Sequence, residues 1–151
     1  MEVFKLSKEL KSKVTLELER EMIFKCDPNE MKIQDCYIDE TNEDLDMLGP
    51  NPVKLLASAV LGCLSASLIF CIQKKNLTLK DFKSEAEIII ARNEEGLFRV
   101  KEINVELQPK TNDPEIIRRI DQCKKIFERY CTITESVRAG IPVNLNIDIK
   151  K

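Results

Sequence analysis

The longest apolar stretch in the chain lies at residues 55–72, where 18 consecutive positions carry no charge. Asn51 and Pro52 before it are typical of a helix start, and the Lys-Lys-Asn sequence at residues 74–76 is typical of a helix end. At 1.5 Å per residue, this helix would be roughly 35 Å long. Because it is apolar on nearly every side, the pattern predicts a helix that is buried all round.

Alternation of apolar and polar residues predicts strands on both sides of this helix. Before it, strands are expected at residues 13–20, 22–26 and 31–38, followed by an acidic loop at 39–49. The chain after the helix has the pattern of a β-hairpin. Strands are expected at residues 81–91 and 97–107, with the connection at 93–96 and a bulge near 101–102, where the alternation is imperfect.

Two more helices and a last strand are predicted for the remainder of the chain. A helix capped by Asp113 has a one-sided apolar stripe and is expected to extend to about Arg129. The sequence at residues 132–135 has the pattern of a capping box, which would open a short helix that ends at Gly140. Residues 142–149 alternate cleanly and predict a final strand.

Strands and helices thus occur in separate runs, which is typical of an α+β fold. The expected order is strands, long buried helix, β-hairpin, helix, short helix and strand, within a single domain that spans residues 1–151. Ser58, Gly62 and Ala66 form a row of small residues on the long helix, four positions apart, which would let another helix approach closely. The spacing leaves open whether that helix belongs to the same chain or to a second subunit.

The composition excludes several kinds of site. The chain has no histidine, so Ser–His and Cys–His catalysis and histidine-ligated zinc are excluded. The six cysteines show no CxxC spacing, so no metal site is expected, and the net charge of −2 gives no basic surface for nucleic acid.

The N-terminal sequence has no apolar core of the kind that a signal peptide needs, so we expect a cytoplasmic protein whose cysteines are thiols. The uncharged run at residues 55–72 reaches the threshold for a membrane span, which is the competing interpretation of the long helix. Seven of its residues are Ala, Ser or Gly, and the remainder of the chain is amphipathic, so no membrane association is expected.

The cysteines are the remaining candidates for chemistry. A cysteine in a buried apolar helix is usually an inert small hydrophobe, and this interpretation applies to Cys63 and more strongly to Cys71 and Cys123. Cys131 differs, because the N–H groups that open the next helix would stabilise its thiolate by about 0.3–1 kcal/mol. A buried Cys63 would need a stronger partner, such as a guanidinium group, to become reactive. Cys26 lies at a strand end, and like Cys36 it suggests no role.

Two motifs carry a resemblance to a known family. The first is PNPVKLLA at residues 50–57, followed by a Gly-Cys pair at 62–63. The second is YCTI at residues 130–133, followed by a glycine and a Pro-Val pair at 142–143. In this order and spacing, they resemble the central-helix and second-cysteine motifs of the OsmC/Ohr family, which comprises osmotically induced protein C and organic hydroperoxide resistance proteins.

The resemblance implies an intertwined homodimer in which two long helices cross at the centre. It also implies a cysteine-based peroxidase of organic or small hydroperoxides that acts in a stress response. Cys63 would attack the peroxide as a thiolate and become a sulfenic acid, and Cys131 would resolve it as a disulfide. A dithiol donor, such as a lipoylated protein, would then reduce that disulfide, and no cofactor would be needed.

One part of the family pattern is absent. In the peroxidase branches, a glutamate beside the helix-opening proline orients an arginine onto the reactive thiolate, whereas Val53 and Lys54 occupy those positions here. Arg20 would be the arginine that the N-terminal strands supply, and its simpler interpretation is a solvated residue at a strand end. Two other functions therefore stay open: a non-enzymatic dimer that binds a small apolar ligand at its interface, and a sulfur-handling protein that carries a persulfide on Cys63.

Overall fold

The computed structural model of the protein describes residues 11–21, 23–27, 36–41 and 48–150. The chain forms two compact units, Met1–Pro52 and Val53–Lys151.

The N-terminal unit contains a three-stranded antiparallel sheet in the order β1-β2-β3. Its strands are β1 (Thr15–Arg20), β2 (Ile23–Asp27) and β3 (Tyr37–Asp39). The first two predicted strands are confirmed to within two residues at each end. The third is confirmed at its C-terminal end, whereas residues 31–35 lie outside the described part of the chain, as do residues 42–47 of the expected loop.

Helix α1 (Pro52–Gln73) begins and ends where the sequence predicts, and Asn76 has the left-handed φ of 56° expected just beyond a helix end. The prediction that it is buried all round is wrong for this chain. Its buried residues form a stripe, Ala57, Val60, Leu64, Leu68, Cys71 and Ile72. The opposite row, Ser58, Gly62, Ala66 and Phe70, is exposed, because the chain's own hairpin and second helix cover only one side of α1.

The membrane interpretation of α1 receives little support from the structure. Among the described residues, α1 is the one helix long and apolar enough to cross a membrane, judged by length and composition alone. A single helix of this kind is weak evidence, because the core helix of a soluble protein meets the same criterion.

Strands β4 (Asp81–Arg92) and β5 (Phe98–Lys110) form the predicted antiparallel hairpin. The predicted bulge is confirmed: Ile89 pairs with Glu102 and Ile90 with Val100, which leaves Lys101 as the extra residue. In the connection, the Asn93 side-chain oxygen accepts hydrogen bonds from two backbone N–H groups of the turn, at 3.1 and 2.9 Å. The β5 residues that pack against α1, Ile103, Val105 and Leu107, lie on the far side of the bulge from this turn.

Helix α2 (Pro114–Cys123) begins as predicted, since Asp113 Oδ1 accepts hydrogen bonds from the first N–H groups of the helix at 2.8 and 3.4 Å. It ends six residues before the predicted Arg129, because a turn and a short 3₁₀ segment, Phe127–Tyr130, follow it. This change of direction brings Phe127 against both hydrophobic clusters of the C-terminal unit. Packing of one aromatic ring thus outweighs the local preference for a longer helix.

Helix α3 (Thr132–Ala139) ends at Gly140, which has a φ of 77° as expected of a residue that closes a helix. The predicted capping box is wrong. Cys131, not Thr132, occupies the cap position, and its side chain makes no capping hydrogen bond. The thiol points elsewhere because it is fully buried in the core.

The predicted final strand at residues 142–149 is also wrong for this chain. Residues 141–150 have no regular secondary structure, and no described strand pairs with them. A strand needs a neighbour to satisfy its backbone hydrogen bonds, and alternation alone does not supply one. The apolar face of the segment is 79–90% exposed at Val143, Leu145, Ile147 and Ile149.

Candidate functional site

The structure brings Cys63 and Cys131 together, although 67 intervening residues separate them in the sequence. Cys63 lies in the middle of α1, and Cys131 immediately precedes α3. Both belong to one hydrophobic cluster, in which Val60, Leu64 and Cys131 are buried and Cys63 packs against them. The two thiols lie close enough for each to shift the pKa of the other, and both are free in this structure.

The pKa values of the two thiols are shifted in opposite directions. Burial, and then the hydrogen bond with Cys131, raise the pKa of Cys63 above that of an ordinary thiol, and the N–H groups of Ile133 and Thr134 offset this only in part. Burial also raises the pKa of Cys131, but hydrogen bonds from Cys63, Thr134 and Ser67 outweigh it, so the pKa is lowered. Cys131 Sγ lies 3.0 Å from Thr134 Oγ1. When the pair loses one proton, the charge therefore resides on Cys131 and Cys63 remains the donor.

Cys63, the less acidic of the two cysteines, is the more accessible one. Cys63 is half-buried and lines a cavity of about 710 Å³, whereas Cys131 is 0% exposed. The remainder of the cavity wall is mostly apolar and includes Phe70, Ile126, Phe127 and Tyr130. A small molecule in this cavity thus meets Cys63 first.

Two cations, Lys74 and Arg119, also line this cavity, and Arg119 was not singled out by the sequence. Its guanidinium donates to the carbonyl oxygen of Cys71 from Nε at 3.1 Å and from Nη2 at 2.7 Å. The same Nη2 lies 3.7 Å from Cys71 Sγ. The available signal was the four-residue spacing from Arg119 to Cys123, which places both on one face of α2.

Arg20, the arginine expected beside Cys63, is exposed and is the last residue of β1. Its charge contributes to the lowered pKa of Asp39, within the N-terminal unit. Since Arg20 and Cys63 belong to different units, their contact stays a prediction. The first turn of α1 contains no acidic residue, as the sequence at Val53 and Lys54 indicated.

The expectation that all cysteines are thiols is wrong for one pair. Cys71 and Cys123 form a disulfide whose Cα atoms are 6.0 Å apart. Each was correctly expected to lie in the core, and both belong to the cluster where α1 packs on α2. Their separation of 52 residues gave no indication that these two apolar stripes would face each other.

Cys26 and Cys36 remain thiols in the N-terminal unit. Burial, followed by the hydrogen bond with Cys36, raises the pKa of Cys26 to about 11. Such a thiol is protonated at neutral pH and therefore a poor nucleophile.

Residues 42–146 match the family model described as OsmC-like protein. No curated protein matches the chain. The fold is similar to three solved structures that share less than a fifth of their residues with it. An OsmC-like protein from Mycoplasma pneumoniae is 19% identical, with a TM-score of 0.63 over 87% of this chain and 89% of that chain.

The other two structures bear names that refer to hydroperoxides. The organic hydroperoxide resistance protein OhrB of Bacillus subtilis is 17% identical, with a TM-score of 0.62 over 85% of this chain and 91% of that one. An organic hydroperoxide resistance protein OsmC from Legionella pneumophila is 15% identical, with a TM-score of 0.55 over 87% and 92% of the two chains. These likenesses establish the fold, and the family model covers more than two thirds of the sequence. The chain therefore belongs to the OsmC-like protein family.

Proposed function

We propose that this protein is a thiol-dependent peroxidase that reduces organic or small hydroperoxides through Cys63 and Cys131. The observation that carries the proposal is the packing of Cys63 against Cys131, in which an accessible thiol lies beside a buried, more acidic one. The family includes proteins named for organic hydroperoxide resistance, which supports this reaction class.

In the first step, the two cysteines act together on a peroxide held in the cavity. The Cys131 thiolate accepts the proton of Cys63 as the Cys63 sulfur attacks the terminal peroxide oxygen. The O–O bond breaks, Cys63 becomes a sulfenic acid, and the leaving alkoxide takes the proton back from Cys131 and departs as an alcohol. Cys131 is thereby left as a thiolate, next to the sulfenic acid.

In the second step, the Cys131 thiolate attacks the sulfur of the Cys63 sulfenic acid. A Cys63–Cys131 disulfide forms, and hydroxide leaves and is protonated to water. A dithiol, free or carried as a lipoyl group on a protein, then reduces this disulfide and is itself oxidised to a cyclic disulfide. We place the cycle in the cytoplasm, where such dithiols are kept reduced. Arg20 is proposed as a further cation for the thiolate, from the N-terminal unit.

Substitution of each cysteine tests the proposal. We expect Cys63→Ser to abolish consumption of an organic hydroperoxide with a dithiol donor, because no sulfur remains for the peroxide to oxidise. Cys131→Ser is expected to accumulate a mono-oxidised species after one equivalent of peroxide, seen by intact mass. Cys36→Ser is the matched control, since Cys36 is a half-buried thiol of the N-terminal unit. Unchanged turnover in Cys63→Ser would contradict the proposal.

The apolar cavity also favours a second function, in which the same fold binds a small apolar ligand without turnover. An apolar fluorescent probe distinguishes the two. A non-enzymatic protein should bind the probe and leave hydroperoxide untouched, with affinity unaffected by Cys63→Ser. Turnover that depends on Cys63 would exclude this second function as the principal one.

The assembly we propose is a homodimer formed through the exposed row of α1. Ser58, Gly62 and Ala66 leave that side of the helix apolar, narrow and uncovered by the described parts of this chain. An added Cβ at Gly62 would meet nothing within 4 Å, so there is space for a second backbone to approach closely. The exposed apolar face of residues 142–149 is a second surface that a partner chain would cover.

A further inference from the structure

The disulfide between α1 and α2 borders the same cavity as Cys63, and Cys71 is the one of its two cysteines that lines this cavity. Cys71 lines the cavity and is 8% exposed, whereas Cys123 is 0% exposed and does not line it. The two cysteines are therefore unequal toward any thiol that enters the cavity. Cys71 is part of the cavity wall, whereas Cys123 is enclosed by the core.

A charged group accompanies the accessible sulfur. Arg119 Nη2 lies 3.7 Å from Cys71 Sγ, and two further hydrogen bonds to the Cys71 carbonyl oxygen hold the guanidinium in place. A neutral disulfide gains little from such a cation. The thiolate that forms when the disulfide opens gains considerably more, because an opposite charge at this range favours the ionised form.

We propose that the Cys71–Cys123 disulfide is a second redox centre, which exchanges with a dithiol that enters the cavity. Cys71 is the sulfur that reacts with the incoming dithiol, and Cys123 is its buried partner. An accessible sulfur beside a cation and a buried second sulfur are the features that distinguish an exchanging disulfide from an inert cross-link.

The exchange proceeds in two balanced steps. A thiolate of the dithiol attacks Cys71 Sγ, the Cys71–Cys123 bond breaks, and Cys123 leaves as a thiolate that takes the proton of the dithiol's second thiol. The second thiolate of the bound dithiol then attacks its own sulfur in the mixed disulfide, and Cys71 leaves as a thiolate beside Arg119. The dithiol has become a cyclic disulfide, and the protein has gained two electrons.

This centre is separate from the Cys63–Cys131 pair. Cys71 follows Cys63 by eight residues on α1, about 12 Å along the helix axis. That distance is too long for direct exchange between the pairs, so each must meet its dithiol independently. The proposal therefore does not depend on the peroxidase activity.

The first experiment uses the Cys63→Ser/Cys131→Ser variant, in which the peroxidase pair is absent. The full chain is equilibrated with graded ratios of reduced and oxidised dithiothreitol, alkylated, and mapped by peptide mass spectrometry. We expect Cys71 and Cys123 to become alkylated together in one two-electron transition, while the circular dichroism spectrum remains that of the folded chain. A disulfide that persists until the chain unfolds would overturn the proposal.

The sulfur that reacts first can be identified in the chain with its disulfide intact. Brief exposure to a monothiol, 2-mercaptoethanol, followed by an acid quench traps the mixed disulfide. We expect the adduct on the peptide that contains Cys71. An adduct confined to Cys123 would contradict the assignment.

The role of Arg119 is tested by the pH dependence of the Cys71 reaction rate, which would not change if Arg119 had a purely structural role. In a Cys123→Ser background, Cys71 is titrated with an aromatic disulfide reagent over a range of pH. Arg119→Gln is expected to slow the reaction at neutral pH about tenfold and to shift the half-maximal rate to higher pH. Arg119→Lys should restore most of the rate, and Arg118→Gln, its neighbour on α2, should have no effect. An unaltered profile in Arg119→Gln would exclude Arg119 as the positioning cation.

Discussion

The acidity of Cys131 depends on the side chains that surround it more than on the helix it precedes. The field of a helix start stabilises a thiolate by only about 0.3–1 kcal/mol, and burial opposes it. The structure adds side-chain donors from Cys63, Thr134 and Ser67, which together lower the pKa. Two of these donors, Cys63 and Ser67, lie on α1 and far from Cys131 in the sequence, so their effect could not be foreseen from the motif around Cys131.

Ser67 provides a test of this arrangement. Ser67→Ala removes one hydrogen bond to the Cys131 thiolate, so the pKa of Cys131 should rise toward that of an ordinary thiol. Since the thiolate is present above its pKa, we expect slower peroxide consumption at neutral pH and recovery at alkaline pH. The measurement is the pH–rate profile. Ser65→Ala is the control, because Ser65 bonds instead to Ser84 Oγ at 3.1 Å; equal profiles for both variants would contradict the role of Ser67.

Asp39 is a second residue whose charge is held by hydrogen bonds. Its buried carboxylate accepts from Thr41 N at 2.9 Å, Thr41 Oγ1 at 2.6 Å and Leu48 N at 3.1 Å. Chiefly through the bonds from Thr41, and with a smaller contribution from Arg20, its pKa is lowered.

The lowered pKa of Asp39 predicts loss of stability in acid. A carboxyl group with a lowered folded pKa contributes stability above its unfolded value, about 3.9, and loses it as the pH falls through the folded pKa. Asp39→Asn should therefore lower the free energy of unfolding at neutral pH, with the difference from wild type shrinking below about pH 4. Urea unfolding at both pH values measures this, and a difference independent of pH would contradict it.

At the scale of single elements, the sequence could predict those that are determined by neighbouring residues. Caps, turn residues and alternation identified α1, the β4–β5 hairpin and the bulge at Lys101, because each is determined by neighbours a few residues away. The end of α2 was missed, since the turn after Cys123 is stabilised by Phe127 packing on two clusters from distant segments. The final strand was predicted wrongly for a related reason: alternation marks one apolar face, while a strand also needs a neighbouring strand for its backbone hydrogen bonds.

The start of α2 yields a prediction at the level of one element. Asp113→Ala removes the side-chain acceptor for two N–H groups of the first turn, which should cost about 1 kcal/mol of unfolding free energy. Denaturant unfolding is the measurement. Asp121→Ala, an exposed residue of the same helix paired with Lys124 at 3.0 Å, should cost much less. An equal loss of unfolding free energy in the two variants would contradict a stabilising role for the Asp113 cap.

At the scale of the whole molecule, the sequence predicted only part of what the row of small residues on α1 does. It indicated that another helix could approach this row closely, and it left open whether that helix belongs to the same chain or to a second subunit. In the structure, no described segment of the C-terminal unit covers Ser58, Gly62 or Ala66. The family resemblance predicted the pairing of Cys63 with Cys131, whereas neither the resemblance nor the spacing indicated the Cys71–Cys123 disulfide.

Gly62 distinguishes a monomer from a dimer. If the protein is a monomer and nothing packs on this row, Gly62→Ala should raise the free energy of unfolding by up to about 1 kcal/mol. Alanine favours the helix more than glycine does, and its Cβ would meet nothing within 4 Å. If two helices cross at this row, Gly62→Leu should instead dissociate the dimer. Sedimentation or light scattering gives the mass. Ala59→Leu, at an exposed position beside the row, is the matched control; a monomeric wild-type protein would overturn the proposed assembly.

The disulfide between α1 and α2 also affects the stability of the folded chain. It joins residues 52 positions apart, so the oxidised chain carries β4, β5 and α2 inside a covalent ring even when it is unfolded. Closing a ring of this size removes enough disorder from the unfolded state to favour the native one by about 4 kcal/mol. The same free energy makes the folded protein harder to reduce than the unfolded one. Reduction of this disulfide should therefore lower the free energy of unfolding by about 4 kcal/mol.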